Sequence, residues 1–180
     1  MTRLTGCLYN ETKLPGRSIP MALQSFRALH DDCNPDCVID VIQKPNCTLT
    51  IGQTLRAQIV GIDCDKCSSF ASDDRRPDFI ILFAGGAGST LRWLVVEMKG
   101  TAPKIGTLVE QFQAGVNAVE SDHRFKVSGS SFGLTPLLLH EKSGVKTADF
   151  RNVWVRMGGR KFPLLQKRCG VSLARLFRVV

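Results

Sequence analysis

Apolar residues recur along this 180-residue chain with two periods, one typical of strands and one typical of helices. Two apolar segments flank a glycine-rich stretch and predict a β-hairpin, because glycine tolerates the positive φ angles of tight hairpin turns. Other short apolar runs predict further strands. The predicted strands are residues 38–42, 48–51, 55–62, 78–82 and 93–99 of the hairpin, 136–140 and 153–157.

Helical spacing is clearest in residues 104–120, where Leu108, Phe112, Val116 and Val119 would form one buried face. Residues 18–30 predict a first helix, and residues 172–177 predict a short basic helix at the C-terminal end. The resulting order is helix, strand, hairpin, helix, strand. This order predicts an α/β fold with a mixed central sheet flanked by helices, in a single domain of residues 1–180.

Charged residues occur at only one end of each predicted hairpin strand. Asp78 opens the first strand, and Glu97 and Lys99 close the second. In an antiparallel hairpin the start of one strand lies beside the end of the next, so we expect these side chains to meet. Glu97 and Lys99 share a face while Met98 points to the other. Such a charged cluster at a sheet edge is costly unless it binds something, and a divalent cation would justify it.

The segment Pro77-Asp78, followed nineteen positions later by Glu97 and then by Lys99, resembles the PD-(D/E)xK nuclease superfamily over about residues 55–142. The resemblance implies an αβββαβ restriction-endonuclease-like core and metal-dependent cleavage of phosphodiester bonds, with DNA as the expected substrate. It also implies that Asp78, Glu97 and the backbone carbonyl of Met98 bind Mg²⁺ or Mn²⁺. Lys99 would then act near the attacking water. A salt-bridged hairpin end without catalysis is the alternative interpretation.

Two further positions follow from the same resemblance. In part of the superfamily the next helix carries a Gln-x-x-x-Tyr pattern, and Gln111 and Gln113 lie on the matching helix. No Tyr follows at the required spacing, so the pattern is broken. Gln111 is the better catalytic candidate, with an ordinary surface glutamine as the alternative. Many relatives also place a Glu of the first helix at the metal, and Glu11 is the candidate here. His140 ends a predicted buried strand, where a core or edge position is expected.

The positive charge of the chain is concentrated near its C-terminal end. Residues 1–141 carry 14 Lys and Arg against 15 Asp and Glu, a net charge of −1, whereas residues 142–180 carry 10 against 1, a net charge of +9. The whole positive excess of the chain, whose net charge is +8, therefore lies in this basic extension. Clustered cations indicate a phosphate-backbone partner, although a merely solvated basic surface is the alternative. Arg75, Arg76 and Arg92 form a second candidate surface. The predicted nucleic-acid contacts are Arg151, Arg156, Arg160, Lys161, Lys167 and Arg168.

No apolar run reaches the roughly 18 residues of a membrane span, and the N-terminal segment lacks the apolar core of a secretory signal. We therefore expect a cytoplasmic protein without a membrane partner, and a homodimer or a larger nuclease assembly is the candidate oligomer.

In a reducing cytosol the seven cysteines are expected to be free or metal-bound. Cys7, Cys47 and Cys169 are interpreted as core or incidental. A candidate structural zinc site, with buried free thiols as the alternative, consists of Cys33, Cys37, Cys64 and Cys67.

The sequence therefore predicts a metal-dependent deoxyribonuclease. The alternative is a non-catalytic nucleic-acid-binding or assembly module on the same fold. We expect the metal-ligating carboxylates to face solvent, so that their removal would abolish cleavage and leave folding intact.

Overall fold

Ten strands and two helices lie in the part of the chain that the computed structural model describes, namely residues 38–39, 42–51, 59–66, 75–85, 90–100, 103–121, 132–141 and 150–177. The strands are β1 (Val38–Ile39), β2 (Ile42–Lys44), β3 (Cys47–Leu49), β4 (Ile59–Asp63), β5 (Phe79–Gly85), β6 (Thr90–Lys99), β7 (Phe132–His140), β8 (Trp154–Met157), β9 (Arg160–Pro163) and β10 (Leu165–Arg168). The helices are α1 (Ile105–Ser121) and α2 (Leu173–Phe177).

Six of these strands form one mixed sheet in the order β1-β4-β5-β6-β7-β10. Strands β1, β4, β5 and β6 are joined by antiparallel pairing, whereas β7 pairs parallel with β6, and β10 parallel with β7. Helix α1 lies in the connection between β6 and β7, as a crossover between parallel neighbours requires. The α/β class and the mixed sheet are therefore confirmed. The predicted helix at residues 18–30 lies outside the described residues.

Apolar side chains cover both faces of the sheet. On one face, the predicted apolar positions of α1 are all buried against the sheet: Leu108, Phe112, Val116 and Val119 are at most 2% exposed. The opposite face carries the β2–β3 hairpin and α2, whose Leu173 is fully buried. Residues 136–140 of β7 are buried throughout, as expected for a strand covered on both faces.

The basic C-terminal region contributes strands to this fold. The predicted strand at 153–157 is present as β8, and it pairs with β9 in a separate two-stranded sheet. β10 forms an edge of the central sheet. Neither β9 nor β10 was predicted, because their sequences, RKFP and LQKR, lack an apolar alternation.

A disulfide bond joins Cys47 in β3 to Cys169 directly after β10, across 122 positions of sequence and with a Cα–Cα distance of 4.9 Å. The expectation that the cysteines are free or metal-bound is therefore wrong for this pair. Sequence spacing offers no signal for a bond between residues so far apart. The disulfide bond joins the β2–β3 hairpin to the chain directly after β10 of the central sheet.

Of the four cysteines proposed for zinc, only Cys64 is among the described residues. It is fully buried in the apolar cluster between the sheet and α1 and forms no disulfide with a described residue. Cys33, Cys37 and Cys67 lie outside the described residues. Within the described ranges, no helix is long and apolar enough to cross a membrane.

Candidate active site

Asp78 and Glu97 lie side by side at one end of the β5–β6 hairpin. The antiparallel register pairs Phe79 with Val96, so the next position on each strand brings the two acids opposite each other. The backbone N–H of Asp78 donates to Oε2 of Glu97 at 3.0 Å, and the backbone N–H of Met98 donates to Oδ2 of Asp78 at 2.7 Å. Each carboxylate is therefore fixed by the backbone of the opposite strand.

Lys99 completes the cluster expected at this hairpin end. Its Nζ forms an ion pair with Oε1 of Glu97, which accepts no regular hydrogen bond from the described residues. The Lys99 side chain is 31% exposed, so it is partly accessible to solvent while its carboxylate partner is buried. Met98 belongs to the apolar cluster on the opposite face of the sheet, in agreement with the predicted alternation.

Glu97 is fully buried, with 0% of its surface exposed. The expectation of a solvent-facing carboxylate is therefore wrong at this position, because β6 is a central strand that is flanked by β5 and β7 and covered on both faces. Burial, together with the charge of Asp78, raises the pKa of Glu97 from 4.5 to about 7, against the lowering effect of Lys99. A carboxyl group whose pKa is raised by burial beside charged partners makes this hairpin end a candidate functional site.

A second lysine reaches the site from β2. Nζ of Lys44 lies 3.4 Å from Oδ1 of Asp78 and also binds Asp65, which in turn accepts a hydrogen bond of 3.1 Å from Nε of Arg76. The hydrogen bond from Lys44 is the largest of the effects that lower the pKa of the Asp65 carboxyl. No sequence pattern pointed to Lys44, because it lies beside a polar turn, far from the β5–β6 hairpin along the chain.

Gln111 lies on the first turns of α1, next to the segment that enters β5. Its Nε2 is 3.4 Å from the carbonyl oxygen of Arg76, and its Oε1 is buried without a hydrogen-bond partner among the described residues. Gln113 points elsewhere and binds the backbone of Arg156. Gln111 is therefore the glutamine that the fold brings to the Pro77-Asp78 segment. Glu11 lies outside the described residues.

The donor set at this end of the hairpin suits a hard cation. Two adjacent carboxylates and a backbone carbonyl are the kind of partial oxygen shell that Mg²⁺ completes with water and substrate phosphate. Oε1 of Glu97 is buried and contacts the Lys99 ammonium, so a cation bound at this oxygen would lie beside Lys99. No group of three or more His, Cys, Asp and Glu side chains with metal-binding spacing occurs among the described residues. Asp78 and Glu97 are the two carboxylates that the hairpin brings together here.

His140 lies one strand away from Lys99. The parallel register pairs Lys99 with His140 and His140 with Arg168, so three strands end in one row. His140 is 7% exposed, and its Nε2 lies 3.1 Å from Nε2 of Gln166. It occupies the buried strand end that the sequence indicated, beside the candidate site.

The predicted nucleic-acid contacts all lie at the surface. None of the six forms an ion pair with another described residue. The alternative surface is different, since Arg75 pairs with Glu110 at 3.6 Å and Arg76 with Asp65. The exposed set is Arg151, Arg156, Arg160, Lys161, Lys167 and Arg168.

Comparison with known proteins adds no relative. No protein-family model matches the chain, and neither a curated protein nor a solved structure matches it.

Proposed function

We propose that the protein is a metal-dependent nuclease that hydrolyses phosphodiester bonds, with DNA as its substrate. The observation that carries the proposal is the interlocked pair of Asp78 and Glu97. Each carboxylate accepts a backbone hydrogen bond from the partner strand, Glu97 is fully buried, and Lys99 contacts it. A folded chain retains such a costly buried charge where it is used.

The strand arrangement supports the same proposal. Strands β4, β5 and β6 are antiparallel, and α1 then leads to β7, which is parallel to β6. This βββαβ order is the one that the proposed restriction-endonuclease-like core would have. The Pro-Asp and Glu-x-Lys segments lie at the start of β5 and the end of β6, in agreement with the PD-(D/E)xK resemblance.

Each residue of the site would have a distinct task in hydrolysis. Asp78, Glu97 and the Met98 carbonyl would hold Mg²⁺ or Mn²⁺, which when bound supplies Lewis-acid polarisation of the phosphoryl group and a water of lowered pKa. The backbone hydrogen bonds to both carboxylates preserve their orientation before substrate arrives. The half-buried ammonium of Lys99 would stabilise negative charge that develops on the phosphoryl oxygens.

The substrate must approach these carboxylates against their negative charge. The exposed cations of the C-terminal region would offset that repulsion by neutralising backbone phosphates. Residues 1–141 have a net charge of −1 and could not do so alone.

One observation favours the non-catalytic alternative. Lys44 contacts Asp78 directly, so a protein cation already occupies part of the carboxylate's surroundings. If Lys44 replaced the metal, the hairpin end would be a structural ion-pair network, and the chain would bind nucleic acid without cutting it. In that case neither the wild type nor Lys44→Met would bind Mg²⁺ or cleave DNA.

Cleavage by isosteric variants tests the proposal. Asp78→Asn and Glu97→Gln keep the shape of the side chains and remove the charges that hold the ion. Each should lower the cleavage rate in Mg²⁺ by at least about 10³-fold on duplex and single-stranded DNA. Glu110→Gln, an exposed acid on α1, is the matched control and should cut at the wild-type rate. Unchanged cleavage by Glu97→Gln would refute the assignment.

A further inference from the structure

The β8–β9 hairpin presents a basic and aromatic outer face. Burial alternates along β8, with Trp154 and Arg156 exposed and Val155 and Met157 buried. The antiparallel register places Lys161 directly opposite Arg156, and Pro163 opposite Trp154, so these four residues share the outward face. Trp154 is 45% exposed, one of two large apolar side chains with such exposure among the described residues.

The cations on this face have no negatively charged partner among the described residues. Arg156 and Lys161 are cross-strand neighbours, and like charges in directly opposite positions are destabilising. Neither side chain forms an ion pair with another described residue. Arg160 is exposed next to the turn, but it pairs with the buried Met157 and so belongs to the other face, where its guanidinium lies 5.6 Å from the ring centre of Phe162. An anionic partner would convert this repulsion into attraction.

The inner face of the hairpin is firmly attached to the protein. Val155 and Met157 are buried in the apolar cluster beneath the sheet. Gln113 of α1 both donates to the carbonyl of Arg156 at 2.9 Å and accepts from its N–H at 3.0 Å. The turn is fixed by Glu120, which accepts a hydrogen bond from the N–H of Gly158. The outward side chains are therefore displayed on a rigid platform, which reduces the entropy lost on binding.

We propose that the outer face of this hairpin binds unpaired nucleotides, with Trp154 stacking on a base and Arg156 and Lys161 binding the flanking phosphates. The proposal deepens the proposed function, on which it rests for the identity of the polymer, by naming single-stranded or locally unpaired DNA as the bound form. Stacking on aromatic side chains beside a basic groove is the general mode of single-strand binding.

The chemistry of this face favours unpaired nucleotides over a duplex. Duplex DNA buries its base faces in the helix stack, so a protruding indole finds no stacking surface there, whereas cations alone would suffice for its backbone. A flexible single strand offers both a base face and phosphates within reach of one hairpin. Because the outward charges are all positive, a second copy of this face would be repelled.

Equilibrium binding in EDTA, where metal-dependent cleavage cannot occur, tests this inference. The probes are a labelled oligothymidine, a duplex of the same length, and an abasic oligomer with the same number of phosphates. Trp154→Ala should weaken oligothymidine binding by about tenfold and leave duplex and abasic binding nearly unchanged. Trp154→Phe should retain most of the affinity, because phenylalanine preserves a stacking face. Glu97→Gln should bind all three probes at least as tightly as the wild type.

The possible outcomes separate this inference from the cleavage proposal. Equal weakening of binding to all three probes in Trp154→Ala, or no weakening for any of them, overturns the stacking role. A wild-type dimer in sedimentation that becomes monomeric in Trp154→Ala would assign the face to a second copy and also overturn it. Failure of Glu97→Gln to lose cleavage would remove the catalytic assignment while leaving the binding result intact.

Discussion

Two charged regions of this molecule are built in opposite ways. At the end of the β5–β6 hairpin, Asp78, Glu97 and Lys99 are at least partly buried, and each is held by a partner within the protein. On the β8–β9 hairpin, Arg156 and Lys161 are exposed and form no ion pair with a described residue. Under the proposed function, the first region fixes a geometry before any ligand arrives, whereas the second takes its counter-charge from a ligand.

The two regions also differ in what a substitution should change. A buried, interlocked charge affects folding and chemistry together, because its removal leaves its partners unsatisfied. An exposed cation affects association and its salt dependence, with little effect on stability. Substitutions in each region test this division. We expect the largest change in the cleavage rate at the buried cluster.

Of the cations in the two regions, Lys99 should matter most for the cleavage rate, and Lys99→Met should leave DNA binding intact. Loss of one positioned cation near the developing phosphoryl charge is expected to lower the cleavage rate by about 10² to 10³-fold. Lys66→Met is the control, because Lys66 is 62% exposed in an ion pair with Asp63 and should be dispensable. Single-turnover cleavage with saturating enzyme measures the effect. A defect that appears only in DNA affinity would place Lys99 with the surface cations instead.

Glu97→Gln should change how stability depends on pH. Burial raises the pKa of Glu97 from 4.5 to about 7, so the folded chain holds this proton more tightly than the unfolded chain. The free energy of unfolding should therefore fall between about pH 4.5 and about pH 7 and level off above, with Glu97 contributing on the order of 3 kcal/mol. Glutamine imitates the protonated form and should remove this component.

Urea unfolding in EDTA at about pH 5 and about pH 8 measures that difference. We expect Glu97→Gln to be the more stable protein at the higher pH, and Glu110→Gln to follow the wild type at both. Parallel pH profiles for wild type and Glu97→Gln would show that the buried carboxyl is compensated by its neighbours.

Charge reversal on the exposed hairpin should act on association alone. The double substitution Arg160→Glu with Lys161→Glu should weaken DNA binding by about tenfold or more and lower the salt slope by roughly 0.9 for each duplex phosphate that is no longer neutralised. The matched control, Lys66→Glu with Arg75→Glu, changes the charge equally at cations that are already ion-paired. Weaker binding in the control than in the hairpin variant would move the binding surface to the region of Arg75, Arg76 and Arg92.

Sequence patterns predicted most of the first region and little of the second. Asp78, Glu97 and Lys99 could be placed together because strand alternation and hairpin pairing fix relative positions over short distances. Lys44 could not, since its contact with Asp78 depends on how the β2–β3 hairpin packs on the sheet. The Cys47–Cys169 bond was missed for the same reason, as it joins residues 122 positions apart.

The basic region shows a different limit of sequence analysis. Its charge was evident from counting, but charge alone gives no element boundaries, and β9 and β10 lack the alternation that marks a strand. No pattern singled out Trp154, because a tryptophan in a short strand is highly buried on average. Strand alternation places Trp154 on one face with Arg156, but only the register with β9 adds Lys161 to that face.

Helix α1 connects the two regions, and its glycines provide the last and smallest test. A Cβ at Gly115 would lie 2.6 Å from Cγ of Pro77 and 2.9 Å from Cγ1 of Val95, so the helix approaches the Pro77-Asp78 segment more closely than any other residue would allow. Gly115→Ala should therefore lower the free energy of unfolding by about 1–3 kcal/mol through overpacking. Gly106→Ala, with no atom within 4 Å of its Cβ, should raise it by up to about 1 kcal/mol through helix propensity.

The effect of Gly115→Ala on activity tests whether the two charged regions, which lie on different sides of α1, respond separately. Displacement of Pro77 should disturb Asp78, whose N–H binds Glu97, whereas Gln113 and Glu120 hold the β8–β9 hairpin on the other side of the helix. We therefore expect Gly115→Ala to lose cleavage severalfold at a temperature where it is fully folded, with DNA affinity retained. Equal losses of cleavage and affinity would mean that the two regions respond to α1 as one unit, and the division between them would fail.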